Sequence, residues 1–187
     1  MRRLFGSAVL LTLVLAVPAL AQDKAMEKKA EVKPAASGTK ADIVRSLEDA
    51  QKKVLALAEA MPADKYTWRP GEGVRSVGEV FAHVAGGNYF LPTLWGGKVP
   101  EGVNPRGFEK EGGDKAKTID NLKKSFDSVK QAIAAVPDSD LERTVKIFDH
   151  DGTVRELLLI VATHAHEHLG QSIAYARMNK IAPPWSQ

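Results

Sequence analysis

Apolar side chains recur at alternating spacings of three and four in four separate segments of the chain, and this feature constrains its fold most. Such spacing places the apolar residues on one face of an α-helix. Strand-type alternation is nearly absent. Four helices with one apolar face each bury those faces against one another, so the sequence predicts an all-α four-helix bundle. The cleanest run comprises Ile119, Leu122, Phe126, Val129, Ile133 and Val136.

Capping residues and helix breakers predict where the first two helices begin and end. The first should begin at Asp42 as N-cap and stop before Pro62. The second should open at Ser76, with Glu79 completing a capping box, and end before Gly96. The apolar face of the first helix comprises Ile43, Leu47, Ala50, Val54, Leu57 and Met61.

The remaining segments lie on either side of the third helix. Residues 96–114 hold six glycines and two prolines and are expected to form a long loop. After the third helix, residues 144–148 are expected to be extended and 149–152 to form a turn. The fourth helix should begin at Thr153, with Glu156 as a second capping box, and run to about residue 179.

The first 21 residues have the pattern of a signal peptide. Arg2 and Arg3 form a positively charged start, residues 8–17 form a short apolar stretch, and residues 18–21 end in a small-x-small cleavage pattern. We therefore expect an exported protein, periplasmic or extracellular. An uncleaved membrane anchor is the alternative.

The segment after the leader differs in composition from the rest. Residues 22–40 are rich in Lys, Glu, Ala and Pro, with almost nothing apolar to bury, and are expected to be a disordered linker. This leaves residues 41–182 for the bundle.

Composition excludes several classes of function. The chain has no cysteine, which excludes a disulfide framework, a thiol nucleophile and an iron–sulfur site. Its 26 basic and 23 acidic residues nearly balance, and the charges are interspersed rather than clustered. Charge therefore gives no argument for nucleic acid as a partner. Beyond the leader, no stretch of the sequence is expected to cross a membrane, so no membrane partner is expected once the leader is cleaved.

Three of the five histidines lie within five residues, and two of them share a helix face. His164 and His168 are four residues apart, so both imidazoles project from one face, which also carries Val161. This arrangement is typical of a clamp for a divalent transition metal. The alternative is a pair of neutral core histidines with satisfied hydrogen bonds. His166 points away from this face and is expected to be exposed.

The other candidates for the site lie outside the fourth helix. His83, near the edge of the apolar face of the second helix, is the best candidate for a third ligand, although an exposed edge histidine is an equal alternative. His150 is expected to be solvated. Glu79 fits its capping box better than the role of a general base. Several further side chains either line a pocket or pack in the core: Tyr66, Trp68, Asn88, Trp95, Gln171 and Tyr175.

Three short segments occur in an order and at spacings that indicate a known family. They are residues 66–70 (Tyr-Thr-Trp-Arg-Pro), residues 75–79 (Arg-Ser-Val-Gly-Glu) leading to His83, and the run from His164 to Gln171. Together they resemble the DinB/YfiT-like family of metal-dependent enzymes, over roughly residues 40 to 180.

The resemblance implies a DinB-like four-helix bundle in which three histidines bind a divalent transition metal, most often zinc or nickel. By that pattern the ligands are His83, His164 and His168, and the other coordination positions are left for water or substrate. The family run often has Arg where this chain has Leu169. If that Arg binds an anionic substrate in relatives, this protein lacks the contact.

The resemblance also implies thiol-dependent transferase chemistry on a small molecule. An exported protein is poorly supplied with small thiols, so a metal-dependent hydrolase is a second enzymatic option. A non-catalytic bundle that binds a metal or a small ligand is the alternative, because the sequence shows no convincing general base. A structural domain without a metal is a third option. Relatives often pair through helix faces, which leaves a homodimer open.

Overall fold

A computed structural model describes residues 38–186 of the 187-residue chain. The predicted signal peptide, and the predicted linker apart from its last three residues, lie outside the described residues. The described part is mostly helical and contains a small two-stranded sheet. The α-helices are α1 (Thr39–Ala60), α2 (Val77–Phe90), α3 (Lys115–Ala134) and α4 (Val154–Met178). The strands are β1 (Thr144–Ile147) and β2 (His150–Thr153). Short 3₁₀ helices span Ala63–Lys65, Leu91–Trp95, Pro105–Glu111, Asp138–Asp140 and Pro184–Ser186.

The four predicted α-helices are all present and share one apolar core. α1 packs mainly against α4 and α2 mainly against α3, while contacts of α2 with α4 and of α1 with α3 complete the arrangement. All six residues of the predicted α1 face are at most 4% exposed. The α3 face is buried as well, except for Ile119, which packs half-buried at its edge. The periodicity therefore identified the core correctly.

The first helix begins earlier than predicted. Its N-cap is Gly38 and its first residue Thr39, so Asp42 lies in the first turn instead of capping the helix. An acidic residue is favourable there because of the partial positive charge of the helix N-terminus. The Nζ of Lys40 donates to the Val136 carbonyl at 2.8 Å and lies 2.9 Å from the Asp138 carboxylate. These contacts with the segment after α3 hold residues that were predicted to be linker.

The segment before α4 is a β-hairpin, so the all-α prediction holds only in part: the four helices are present together with a small sheet, whose first strand lies within the segment 144–148 that was expected to be extended. Ile147 pairs with His150, and the turn consists of Phe148 and Asp149, not of residues 149–152. Thr153 caps α4 by accepting from the Glu156 backbone N–H. The Glu156 carboxylate contacts His150 instead of completing the predicted capping box. Two strands of four residues are too short for an alternation pattern to reveal both of them.

The predicted loop 96–114 contains a 3₁₀ helix, Pro105–Glu111, which packs closely on α2. Glycines make this approach possible. A Cβ on Gly78 would lie 1.7 Å from the Gly112 carbonyl oxygen, and one on Gly86 would lie 2.9 Å from the Pro105 oxygen. Backbone therefore meets backbone at both ends of the 3₁₀ helix, which fixes its residues against α2.

Within residues 38–186, no helix combines the length and the apolar character that a membrane span requires.

Candidate metal centre

The fourth helix supplies two of the three imidazoles. His164 and His168 lie one turn apart on α4, with ring centroids 4.6 Å apart and planes at 77°. Their neighbours Val161 and Ala165 are fully buried, and His168 itself is only 8% exposed. The helix thus carries both rings to the side that packs against the rest of the bundle, as the spacing predicted.

The second helix supplies the third imidazole. The capping box of Ser76 and Glu79 fixes the start of α2, and His83 follows one turn after Glu79. The His83 ring lies 5.2 Å from that of His164 and 4.7 Å from that of His168, centroid to centroid. Its Nε2 is 3.3 Å from His164 Nε2. One ligand atom from each of the three residues lies within 4.8 Å of the others.

A glycine on α2 makes room for this approach. A Cβ on Gly87 would lie 2.4 Å from His164 Cε1 and 3.1 Å from its Nδ1. A side chain of any size at this position would therefore push the His164 ring or separate α2 from α4. Gly87 is part of the geometry of the cluster, although no sequence pattern singled it out.

Hydrogen bonds orient the outer nitrogens of two rings. His83 Nδ1 donates to Glu109 Oε1 at 2.7 Å, and His168 Nδ1 lies 2.9 Å from Gln171 Oε1. The Gln171 amide nitrogen in turn donates to the Tyr175 hydroxyl at 3.1 Å. Because carboxylate and amide oxygens only accept, both rings carry the proton on Nδ1 and present the Nε2 lone pair to the cluster. This outer hydrogen bond is usual for histidines that bind metals.

Arg75 completes the support of His83. Its Nε and one terminal nitrogen lie 3.0 and 3.2 Å from the two Glu109 oxygens, a bidentate pair. Partial burial acts to raise the pKa of Glu109, but hydrogen bonds from Arg75 and His83 outweigh it and hold that pKa below its usual value. Glu109 is therefore ionised and accepts from His83.

Burial favours the neutral form of two of the rings, His83 and His164. Desolvation lowers the pKa of His83. The same effect, with the neighbouring His168 and His83 next in size, lowers the pKa of His164 to about 3. Neutral imidazoles are the form that binds metals.

His164 shows why these residues suit a cation. Its Nδ1 is buried with no hydrogen-bond partner among the described residues. If Nδ1 carries the proton, its N–H has no acceptor among the described residues, and the Nε2 lone pairs of His164 and His83 face each other at 3.3 Å. If Nε2 carries it, a buried Nδ1 lone pair is left unpaired. A cation between the rings would remove the repulsion between the two facing Nε2 lone pairs. A separation of roughly 3.3 Å is expected for two nitrogens that bind one tetrahedral ion.

The other predicted site residues lie elsewhere. His166 is exposed and contacts Ser46 on α1, with Nε2 3.0 Å from the Ser46 carbonyl oxygen. His150 is exposed on the hairpin. Glu79 completes its capping box and pairs with Arg69, so it does not reach the cluster as a base.

Of the expected pocket or core residues, Gln171 and Tyr175 support the cluster, and Trp68 packs edge-on against Tyr175. Tyr66, Asn88 and Trp95 are core residues.

Sequence reasoning missed Glu109 and the role of Arg75. Arg75 belongs to a segment on which the family resemblance rests, but the sequence analysis assigned no function to it. Glu109 lies in a stretch that was predicted to be loop, 26 residues beyond His83, and no local pattern marks it.

Comparison with known families identifies the chain. The family model described as the DinB superfamily matches residues 46–172, a span that includes all three clustered histidines. The chain belongs to the DinB superfamily. The family resemblance on which the sequence interpretation relied is therefore confirmed, and the three-histidine cluster could bind a metal ion.

Solved structures share the fold of this DinB superfamily member. A DinB-like protein from Bacillus cereus ATCC 10987 is similar with a TM-score of 0.62 at 15% identity, covering 76% of this chain and 93% of that one. A DinB-like protein from Bacillus subtilis gives 0.57 at 19% identity, covering 74% and 92%. The comparison with curated proteins gives no match.

Proposed function

We propose that this protein is an exported, metal-dependent enzyme of transferase or hydrolase type with a DinB-type four-helix bundle. Its ligands to a divalent transition metal, zinc or nickel, are His83, His164 and His168. One observation carries the proposal: three imidazoles from two helices converge, with a ligand atom of each within 4.8 Å of the others.

The donor set supports a catalytic ion more than a purely structural one. Three imidazoles leave coordination positions open, whereas structural zinc sites are closed by four protein ligands. Within residues 38–186, the group of possible metal ligands consists of these three histidines alone. A bound metal would supply Lewis-acid chemistry to a small-molecule substrate.

The chain's own residues hold and orient the ligands. Glu109 keeps the proton of His83 on Nδ1, and Gln171 does the same for His168. Apolar neighbours such as Val161 and Ala165 limit the access of water from the core side. These residues therefore present the Nε2 lone pairs of His83 and His168 in a fixed geometry.

A non-catalytic protein that binds a metal or small ligand is the second candidate, and one observation favours it. The carboxylate that contacts the cluster, Glu109, is held by Arg75 on both oxygens. Glu79 is held by its cap and by Arg69. In the described part of the chain, neither acid is placed as a general base, so proton transfer would fall to the substrate or to water.

Metal content tests the proposal. We would express the full chain with its leader, recover the secreted or periplasmic protein, and measure bound metals by elemental mass spectrometry. We expect about one equivalent of zinc or nickel in the wild type and in His166→Ala, and almost none in His83→Ala. The mass of the recovered protein would show whether the leader is removed. Absence of metal after reconstitution, or equal loss in both variants, would reject the proposed site.

A further inference from the structure

Two cavities open beside the histidine cluster and share part of their lining. One, the arginine cavity, has a volume of about 440 Å³ and extends from α2 towards Val99 and Arg106. The other, the hairpin cavity, has a volume of about 350 Å³ and extends towards the hairpin turn and α4. Both are lined by His83, Gly87 and Phe90. A molecule bound in either cavity therefore lies next to a proposed metal ligand.

The arginine cavity carries a cationic group that is not neutralised. Arg106 lines it and is exposed, and no carboxylate within residues 38–186 forms an ion pair with it. Arg75, by contrast, is paired with Glu109 and Arg69 with Glu79. Glu109 also lines the cavity, but Arg75 and His83 already occupy its oxygens. The cavity is thus electrostatically suited to an anionic group, which a guanidinium binds well.

The hairpin cavity is apolar near the cluster. Its lining includes Phe90, Leu91, Phe148 and Ile160, together with His164. Phe90 is 39% exposed and Phe148 62% exposed, so two large aromatic side chains border this cavity without being covered by the protein. Among the described residues that line this cavity, the only carboxylate is that of Glu167, and its charge disfavours an anion there. An apolar group of a ligand would gain by covering these rings.

The backbone of Phe148 supports a functional reason for its exposure. Phe148 is the first residue of the two-residue hairpin turn and has φ of 50°, a left-handed conformation that bulky residues rarely adopt. Glycine would suit this position better. A strained aromatic beside the cluster is the pattern expected where a side chain is kept for binding at the expense of stability.

We propose that the site takes small organic carboxylates with an apolar body, the carboxylate bound by Arg106 and the body lying along Phe90 and Phe148. The two ends of the ligand then occupy the two cavities, and its middle passes His83. This assignment rests on the proposed function for the role of the metal, but the two binding contacts are independent of it.

A matched pair of probes tests this substrate class. We would measure the affinity of ω-phenylalkanoates with two to six chain carbons, and of their neutral amides, by calorimetry on metal-loaded and on chelator-treated protein. We expect the best carboxylate to bind about tenfold more tightly than its amide, the size of a charge-assisted hydrogen bond. Arg106→Ala should abolish this preference. Arg177→Ala is the matched control, because Arg177 is likewise without a carboxylate partner in the described range and lines neither cavity.

The second variant tests the apolar end. Phe148→Gly should weaken the binding of the carboxylate and of the amide several-fold and to the same extent. The melting temperature should stay the same or rise, because the strained backbone is relieved. A fall in melting temperature without a change in affinity would mean that Phe148 only packs, and would overturn its role.

Three outcomes separate this inference from the proposed function. If the preference for the carboxylate over its amide survives removal of the metal by a chelator and is lost in Arg106→Ala, the inference is supported even if no metal is bound. If that preference is lost on chelation but kept in Arg106→Ala, the metal binds the carboxylate. This result would overturn the role of Arg106 and leave the proposed metal site unaffected. Absence of binding by every probe overturns the substrate class.

Discussion

The imidazole cluster has two walls that are built in different ways. On α4, His164 and His168 are one turn apart, and the hydrogen bond that orients His168 comes from Gln171, three residues later on the same helix. On α2, His83 is oriented by Glu109 from a separate 3₁₀ helix, and Glu109 is held by Arg75 from before α2. One wall is positioned by local helix geometry and the other by contacts between distant segments. The α2 wall should therefore respond to changes far from the histidines themselves.

The largest effect is expected on the α4 wall itself. His168→Ala removes a ligand and should lower metal affinity by more than about 100-fold, since even outer-shell changes cost 10–100-fold. His166→Ala, two residues away but exposed on another face, should leave affinity nearly unchanged. Competition with a chelating dye would measure both. Comparable losses in the two variants would break the helix-face argument.

The two outer hydrogen bonds should differ in strength. Glu109→Ala removes an ionised acceptor from His83 and should lower metal affinity by roughly 10–100-fold. Gln171→Ala removes a neutral acceptor from His168 and should cost less, because hydrogen bonds to charged groups are about twice as strong. The same dye competition measures both. A larger loss from Gln171→Ala would reverse the comparison between the walls.

The contact between the walls can be tested at a glycine. Gly87→Ala would place a Cβ 2.4 Å from His164 Cε1. We expect it to lower the free energy of unfolding by about 1–3 kcal/mol and to weaken metal binding, because the ring must move. Gly170→Ala on α4 is the control: a Cβ there meets nothing within 4 Å, so it should stabilise the helix by about 0.5–1 kcal/mol. Urea unfolding measures both. Stabilisation by Gly87→Ala would show that the two helices do not approach as described.

The smallest expected effect is the change of stability with pH, to which His164 of the cluster and His150 of the hairpin contribute with opposite signs. The pKa of His164 is lowered to about 3 on folding, so the unfolded chain binds the proton more tightly below about pH 6.5. The contribution of the neutral His164 to the free energy of unfolding is therefore complete above that pH and is lost as pH falls. Hydrogen bonds that His150 donates to the Glu156 and Asp149 carboxylates raise its pKa, so the stability that His150 contributes is instead lost as pH rises.

For metal-free protein, we expect the free energy of unfolding to change through His164 by about 1 kcal/mol or less between pH 7.5 and 6. Urea unfolding at both pH values would measure it. His164→Asn should make stability rise less steeply with pH, and His150→Ala should make it rise more steeply. Identical slopes in both variants and the wild type would contradict the buried, neutral state of His164.

Much of the bundle could be predicted because helix faces repeat along the chain. The buried faces of α1 and α3, the capping box at Ser76 and the convergence of His164 with His168 all depend on residues within about one turn of each other. The hairpin could not be predicted in the same way, because its two strands have only four residues each. The start of α1 was placed too late because Lys40 is held by residues that follow α3.

By itself, the sequence determined the four helices, their buried faces and the pair of imidazoles on α4, since helical periodicity fixes the direction of side chains a few residues apart. Only the tertiary structure decided that His83 meets that pair and that Glu109 and Arg75 support it. It also decided that a glycine, Gly87, lets the two walls approach each other. These contacts join segments far apart in the chain, and their geometry follows from how α2, α4 and the 3₁₀ helix 105–111 pack, which no local pattern encodes.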